Sequence, residues 1–220
     1  MQVLDAVGAA QVVWLGAAWG GHIGVAAARR HPDRLVGLVV LNAPMRPWRG
    51  RRLALMRLTY LLLWAFGPRS WVAPMIANAM VSPNARPDRP AIVRAVAAAL
   101  RRCHRRGLLR AARSAMFERG DVVPLLPGLT LPVLFLTGAD DRLYPVEEAR
   151  AQSAGIPECT FVVVERSAHQ SALEAPDQVL PLLREALAAW GSRGTLQAAR
   201  RGGDAGATAA SRPADFVIDR

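Results

Sequence analysis

Apolar residues follow two rhythms along the chain. Four short runs are almost wholly apolar: Gln11 to Leu15 (QVVWL), Leu35 to Leu41 (LVGLVVL), Val133 to Thr137 (VLFLT) and Thr160 to Val164 (TFVVV). Runs without polar alternation mark parallel strands covered on both faces. Between them lie segments of helical composition, Ala17 to Arg30, Val146 to Ala154 and about Ser171 to Trp190. His31-Pro32-Asp33 ends the first, because proline supplies no backbone donor and disfavours helix in the residue before it. Strand alternating with helix predicts an α/β fold built on a parallel sheet with right-handed crossovers.

From Met45 to about Pro127 the rhythm changes to helices punctuated by proline or glycine, read at about 50–66, 71–80, 89–105 and 107–118. Pro83 to Pro90 (PNARPDRP) is the turn-rich joint between the second and third. In the third, Ile92, Val93, Val96, Ala99 and Leu100 recur at helical spacing and predict one packed face. The pattern divides the chain into an α/β core from 1–44 and 128–190 and a helical insertion from 45–127. Beyond Gly191 the sequence turns to Gly, Ala, Arg and Ser without a period, which predicts a disordered tail over 191–220.

Charge sharpens that division. All 28 basic residues of the 220-residue chain are arginine, as GC-rich codon usage would give. Sixteen of them fall between Arg46 and Arg119 against two acids, Asp88 and Glu118, whereas the remainder is slightly acidic. Such a zone attracts anions, a membrane surface or nucleic acid. The run Arg101 to Arg106 (RRCHRR) has no interleaved aromatics and no nucleic-acid fold accompanies it, so no nucleic-acid partner is expected and a solvated face explains the arginines. The alternative is a membrane contact through Leu53 to Phe66, which is too short to cross a bilayer. With no leader pattern at the start and two cysteines, Cys103 and Cys159, read as free thiols, the expected location is the cytoplasm. No His/Cys/Asp/Glu grouping has metal-ligand spacing, so neither metal nor other cofactor is expected.

Three short segments fall at the C-terminal ends of predicted strands, where open α/β sheets place their sites. They are Gly16-Ala17-Ala18-Trp19-Gly20-Gly21, Gly138-Ala139-Asp140-Asp141-Arg142-Leu143-Tyr144-Pro145 and Ser167-Ala168-His169-Gln170. In this order they resemble the α/β-hydrolase family, whose chain order is nucleophile, acid, histidine. The resemblance runs from about Val3 to Trp190, and implies that the helical insertion is the family's cap domain. It implies that Asp141 orients His169, with Asp140 as the fallback acid, and that His169 is the general base. It implies that the Trp19 N–H is an oxyanion donor and that Trp19 lies at the floor of the site. His22 and Tyr144 are expected near a pocket for a small apolar organic ligand or substrate, such as an ester or epoxide. Trp71 is a further candidate for its lining, while Trp64 is read as packing.

This chain departs from the family pattern twice. The nucleophile position holds Ala18, and a methyl group cannot attack a carbonyl. Only about eleven residues precede the first predicted strand, where the family carries further strands and a loop with a second oxyanion donor. The resemblance therefore predicts that the natural gene begins upstream of Met1, and that Ala18→Ser alone restores no strong esterase activity. Three readings follow: hydrolysis by a His–Asp pair without a covalent intermediate, a non-catalytic ligand-binding protein of the same fold, or a truncated remnant without function.

Overall fold

The structure, a computed structural model, describes residues 1–85 and 88–191. A short helix α1 (Gln2–Ala6) leads into β1 (Val12–Ala17), α2 (Trp19–Arg30) and β2 (Leu35–Leu41). Then come α3 (Gly50–Phe66), α4 (Val72–Met80), α5 (Arg89–Arg102) and α6 (Arg105–Arg113). A π-helical turn (Ser114–Glu118) and a 3-10 turn (Val123–Gly128) lead to β3 (Val133–Gly138). The chain continues through α7 (Val146–Ser153), β4 (Cys159–Val164), α8 (Ser171–Glu174) and α9 (Pro176–Gly191).

The strands make a four-stranded, all-parallel sheet in the order β1-β2-β3-β4. Central registers pair Leu15 with Val39 and Val40 with Phe135, then Phe135 with Phe161. Because successive side chains point to opposite faces, the apolar run of β2 feeds two cores. Leu38 and Val40 join Val25, Phe135, Ala149 and Ile156 beneath α2 and α7. Val39 and Leu41 join Leu136, Val164, Val179 and Trp190 beneath α9. Burial on both faces is what an unalternating strand sequence requires. Gly37 stands in the middle of β2 because the Trp190 ring lies over it; a Cβ there would sit 2.2 Å from that ring.

Helices α4 and α5 form a third cluster around Ala73, Ala77, Val81, Val93, Val96 and Ala97. Of the face expected on α5, Val93 and Val96 are buried, Ile92 and Leu100 half-buried, and Ala99 exposed. The helix break expected at Arg106, between 89–105 and 107–118, falls instead at Cys103 and His104, whose backbones are extended. Breaking there brings α6 against α3, where Arg105 donates to the Trp64 carbonyl and Tyr60 meets Phe117 edge-on. The single helix expected over 171–190 is two, since Ala175 leaves the helical region (φ −141, ψ 60) ahead of Pro176, the restriction proline places on its predecessor. Trp64 was expected to pack and is 57% exposed. Helix α3 is apolar around most of its circumference yet buries only Met56 and Leu63, so composition did not distinguish its packed side. No helix among the described residues is long and apolar enough to cross a membrane. The expected tail lies outside the described residues beyond Gly191.

Candidate active site

The chain turns from β1 into α2 through one residue. Ala18 has φ 48 and ψ −117, a positive φ that L residues rarely adopt, at a cost of roughly 1–3 kcal/mol that the surroundings must offset. Its N–H donates to the Leu41 carbonyl at 2.8 Å, tying the turn to the end of β2. The Trp14 indole donates to the Gly20 carbonyl at 3.0 Å and holds the first turn of α2 against its own strand. The result is a sharp one-residue strand-to-helix turn that carries a methyl group. Trp19 opens α2, so its N–H belongs to the first turn, whose donors have no acceptor within the helix.

Across the sheet, His169 Nδ1 lies 2.9 Å from Asp141 Oδ2. The carboxylate is fully enclosed, and its other contacts fix its orientation. Oδ1 accepts the N–H groups of Leu143 (2.9 Å) and Tyr144 (3.1 Å), and Oδ2 also accepts from Asn42 Nδ2 (3.2 Å). With Nδ1 facing a carboxylate, the ring nitrogen left for chemistry is Nε2. The fallback acid is otherwise engaged: Asp140 Oδ2 accepts from the Ser82 hydroxyl and from Asn84 Nδ2 (3.1 Å), tying the acid turn to the α4–α5 joint.

Two residues to which the sequence reading gave no role assemble this site, Asn42 and Glu174, the latter within the Leu173-Glu174-Ala175-Pro176 segment that also resembles the family. Asn42, at positive φ just after β2, bridges Asp141, the Ala168 carbonyl at 2.8 Å and the Ser171 hydroxyl. An Asn at the end of a strand, tolerant of left-handed backbone, was the available signal. Glu174 accepts from the N–H groups of Ala168 (3.0 Å) and Gln170 (2.9 Å) through Oε1 and of Ser82 (2.6 Å) through Oε2, thereby shaping the histidine loop. The His169 N–H donates to the Met80 carbonyl at 3.1 Å, so α4 is coupled to the same loop. Gly138 admits that loop, because a Cβ there would stand 2.3 Å from the Ala168 carbonyl.

A cavity of about 300 Å³ brings Ala18, Trp19 and His169 together. Its other walls come from α3 (Leu55, Met56, Leu58, Leu62), α4 (Met75, Ile76, Ala79, Met80), the π-helical turn (Met116) and Trp48, with Arg119 as the one fixed charge. Three residues expected at the pocket lie elsewhere. Tyr144 is fully buried beside Phe135, its hydroxyl on Gln152 at 2.7 Å. Burial, then the charges of Glu148 and Asp141, raise its phenol well above the ordinary range. His22 points its Nε2 at the Gly120 carbonyl, 2.9 Å away, and so braces α2 against the segment that precedes β3. Trp71 lies outside the cavity and is 52% exposed.

Burial holds the His22 pKa below its ordinary 6.5, assisted by Arg119 and opposed by the Gly120 carbonyl and Asp121. The unfolded chain therefore binds this proton first as pH falls. Stability attributable to His22 is complete above pH 6.5 and declines below it until the folded imidazole also protonates. In urea titrations from pH 7.5 to 5, His22→Gln is expected to flatten the acid limb relative to wild type; an unchanged slope would show the ring is not the group responsible.

A single-residue elbow, an acid turn and a histidine loop at the carboxyl ends of β1, β3 and β4 define an α/β hydrolase. The family described as serine aminopeptidase, S33, matches residues 2–176, and the chain belongs to this α/β-hydrolase family. It is 30% identical over 179 residues to a pimeloyl-[acyl-carrier protein] methyl ester esterase of Aliivibrio salmonicida, covering 79% of this chain and 67% of that one. Across such relatives the chain spans about two thirds of their length. A thermophilic esterase from Thermogutta terrifontis superposes with a TM-score of 0.76 at 27% identity, over 86% of this chain and 69% of that one. The enol-lactonase of Burkholderia xenovorans shares the fold at TM-score 0.74 and 19% identity, over 84% and 69% of the two chains.

Proposed function

We propose that this protein binds a small, largely apolar ester or related acyl compound in the cavity beside Ala18, and that His169 activates water against it. The observation that carries this reading is the Asp141–His169 hydrogen bond at 2.9 Å, with the histidine on the cavity wall. The similarity to esterases supports the reaction class. Helices α3 to α6 serve as the cap that closes the cavity over the sheet.

The roles follow from the groups present. Asp141 holds the imidazole with Nδ1 protonated, leaving Nε2 to take a proton from water as its oxygen attacks the acyl carbon. The tetrahedral oxyanion forms near the N terminus of α2, where the Trp19 N–H favours negative charge. Collapse breaks the bond to the leaving alcohol, which takes the proton back from His169. Water, not the enzyme, supplies the new bond, so no acyl-enzyme forms at position 18. General-base assistance contributes roughly 10²–10⁴-fold, well short of a full triad with its nucleophile.

The methyl group of Ala18 favours a second reading, a ligand-binding protein without turnover. Hydrolysis of p-nitrophenyl butyrate by wild type, His169→Ala and Asp141→Asn separates the two. We expect measurable wild-type turnover and a loss of about 10²-fold or more in His169→Ala. Equal residual rates in all three proteins would support the binding reading.

A further inference from the structure

Arg119 is a buried cation without an anion. Its residue is 9% exposed, and none of its nitrogens lies within ion-pair distance of a carboxylate among the described residues. Nη1 donates to the Pro44 carbonyl at 3.2 Å and Nη2 to the Arg46 carbonyl at 2.9 Å, while the guanidinium carbon sits 4.5 Å from the centre of the Trp48 ring. Nε is buried and has no hydrogen-bond partner. Burial lowers the pKa to about 10, opposed by the more distant charges of Glu148 and Tyr144, so the group remains charged at neutral pH. Taking a charge out of water is costly unless it is paired. Two carbonyls and an aromatic face hold the side chain in place without neutralising it.

The other side of Trp48 carries a second observation. An outer cleft of about 580 Å³ is lined by Arg46, Arg49, Arg52, Trp48, Asp121 and Glu148. Arg52 pairs with Glu148 at 2.6 Å and Arg46 lies 3.6 Å from Asp121, whereas Arg49 pairs with no carboxylate among the described residues. Trp48 lines both this cleft and the inner cavity. The excess positive charge thus continues from the surface to the Ala18 cavity across one indole ring.

We propose that the cavity selects organic anions: its ligand has an apolar body that fills the space among α3, α4 and the π-helical turn, and a carboxylate or similar anionic group that Arg119 neutralises. This rests on the cavity being the ligand site, and it narrows the substrate class to acyl compounds that carry a negative charge away from the reacting carbon. Arg49 and the outer cleft raise the local concentration of such anions, and Arg119 discriminates among what enters.

The test compares octanoate with octanamide, equal in chain length and different in charge, by calorimetric titration of the whole 220-residue chain at low ionic strength. Wild type is expected to bind octanoate about tenfold or more tightly than octanamide, since a charge-assisted contact replaces a neutral one. Arg119→Met should bring the two probes to parity without weakening octanamide. The exposed Arg49→Gln leaves the core untouched and should weaken octanoate alone by about two- to threefold, which gives a reading even if Arg119→Met fails to fold. Equal affinities in wild type, or a preference that survives Arg119→Met, would overturn the anion proposal while leaving the cavity as a ligand site. Failure of both probes to bind would overturn the cavity reading too. Since the assay reads binding and not turnover, a missing catalytic rate would leave the result unaffected.

Discussion

Ala18→Ser is expected to turn a chain inert to fluorophosphonates into one that is labelled at that single position. The elbow backbone already holds the conformation a nucleophile needs, at φ 48 and ψ −117. Position 18 shares its cavity with His169, whose Nδ1 is committed to Asp141. Adding one hydroxyl supplies the missing part. The serine oxygen bonds to phosphorus, the P–F bond breaks, fluoride leaves and His169 receives the proton. Capture asks for a nucleophile and a base, whereas turnover of an ester also draws on oxyanion stabilisation worth about 2.7–4 kcal/mol per donor. Labelling is therefore the readout that reports on the elbow alone. Intact mass should show one adduct in Ala18→Ser, none in wild type, and labelling slower by about 10²–10⁴-fold in Ala18→Ser/His169→Ala. An adduct in wild type would reveal another nucleophile, and no adduct in the single variant would mean that the residues at 18 and 169 do not work as a pair.

The parts of this molecule that could be read in advance are those in which local pattern and global role coincide. Four apolar runs became four parallel strands, covered on both faces along β2 and β3 and half-buried at the outer strands β1 and β4. Asp141 and His169 met because strand ends bring sequence-distant turns to one edge. The supports were hidden for the opposite reason. Asn42 reaches Asp141 across 99 positions and Ala168 across 126, and nothing near an asparagine reports such partners. Arg119 looked like one more member of an arginine-rich zone, and only enclosure against Trp48 separates it from the exposed residues. His22 and Tyr144 lie close in sequence to the elbow and the acid turn, and that proximity alone points them to the pocket. Helical periodicity turns His22 to Gly120 instead, and the acid turn buries Tyr144 against Phe135.

The elbow motif also weights its two glycines equally, and the structure does not. A Cβ at Gly16 would stand 2.3 Å from the Gly20 carbonyl carbon and oxygen and 2.4 Å from the Gly21 nitrogen, all backbone atoms that cannot rotate away. Either β1 or α2 would have to shift, and both are anchored: β1 pairs along its length with β2, and Ala18 is bonded to Leu41. Gly16→Ala is therefore expected to cost about 3 kcal/mol or more, the upper end for overpacking a rigid site. For a domain of this size, that lowers Tm by roughly 6–12 °C and draws position 18 away from His169. At Gly20, by contrast, a Cβ would meet nothing within 4 Å, and φ is not positive. Gly20→Ala exchanges the poorest non-proline helix former for the best, and near the start of α2 it should be neutral or stabilising by up to about 1 kcal/mol. Thermal melts of the two variants, made alongside Ala18→Ser labelling in each background, check both halves. Gly16→Ala should lose stability and labelling together, and Gly20→Ala neither. A Gly20→Ala protein as unstable as Gly16→Ala would show that the first turn of α2 packs more tightly than its open surroundings allow, and the steric account of the elbow would fail with it.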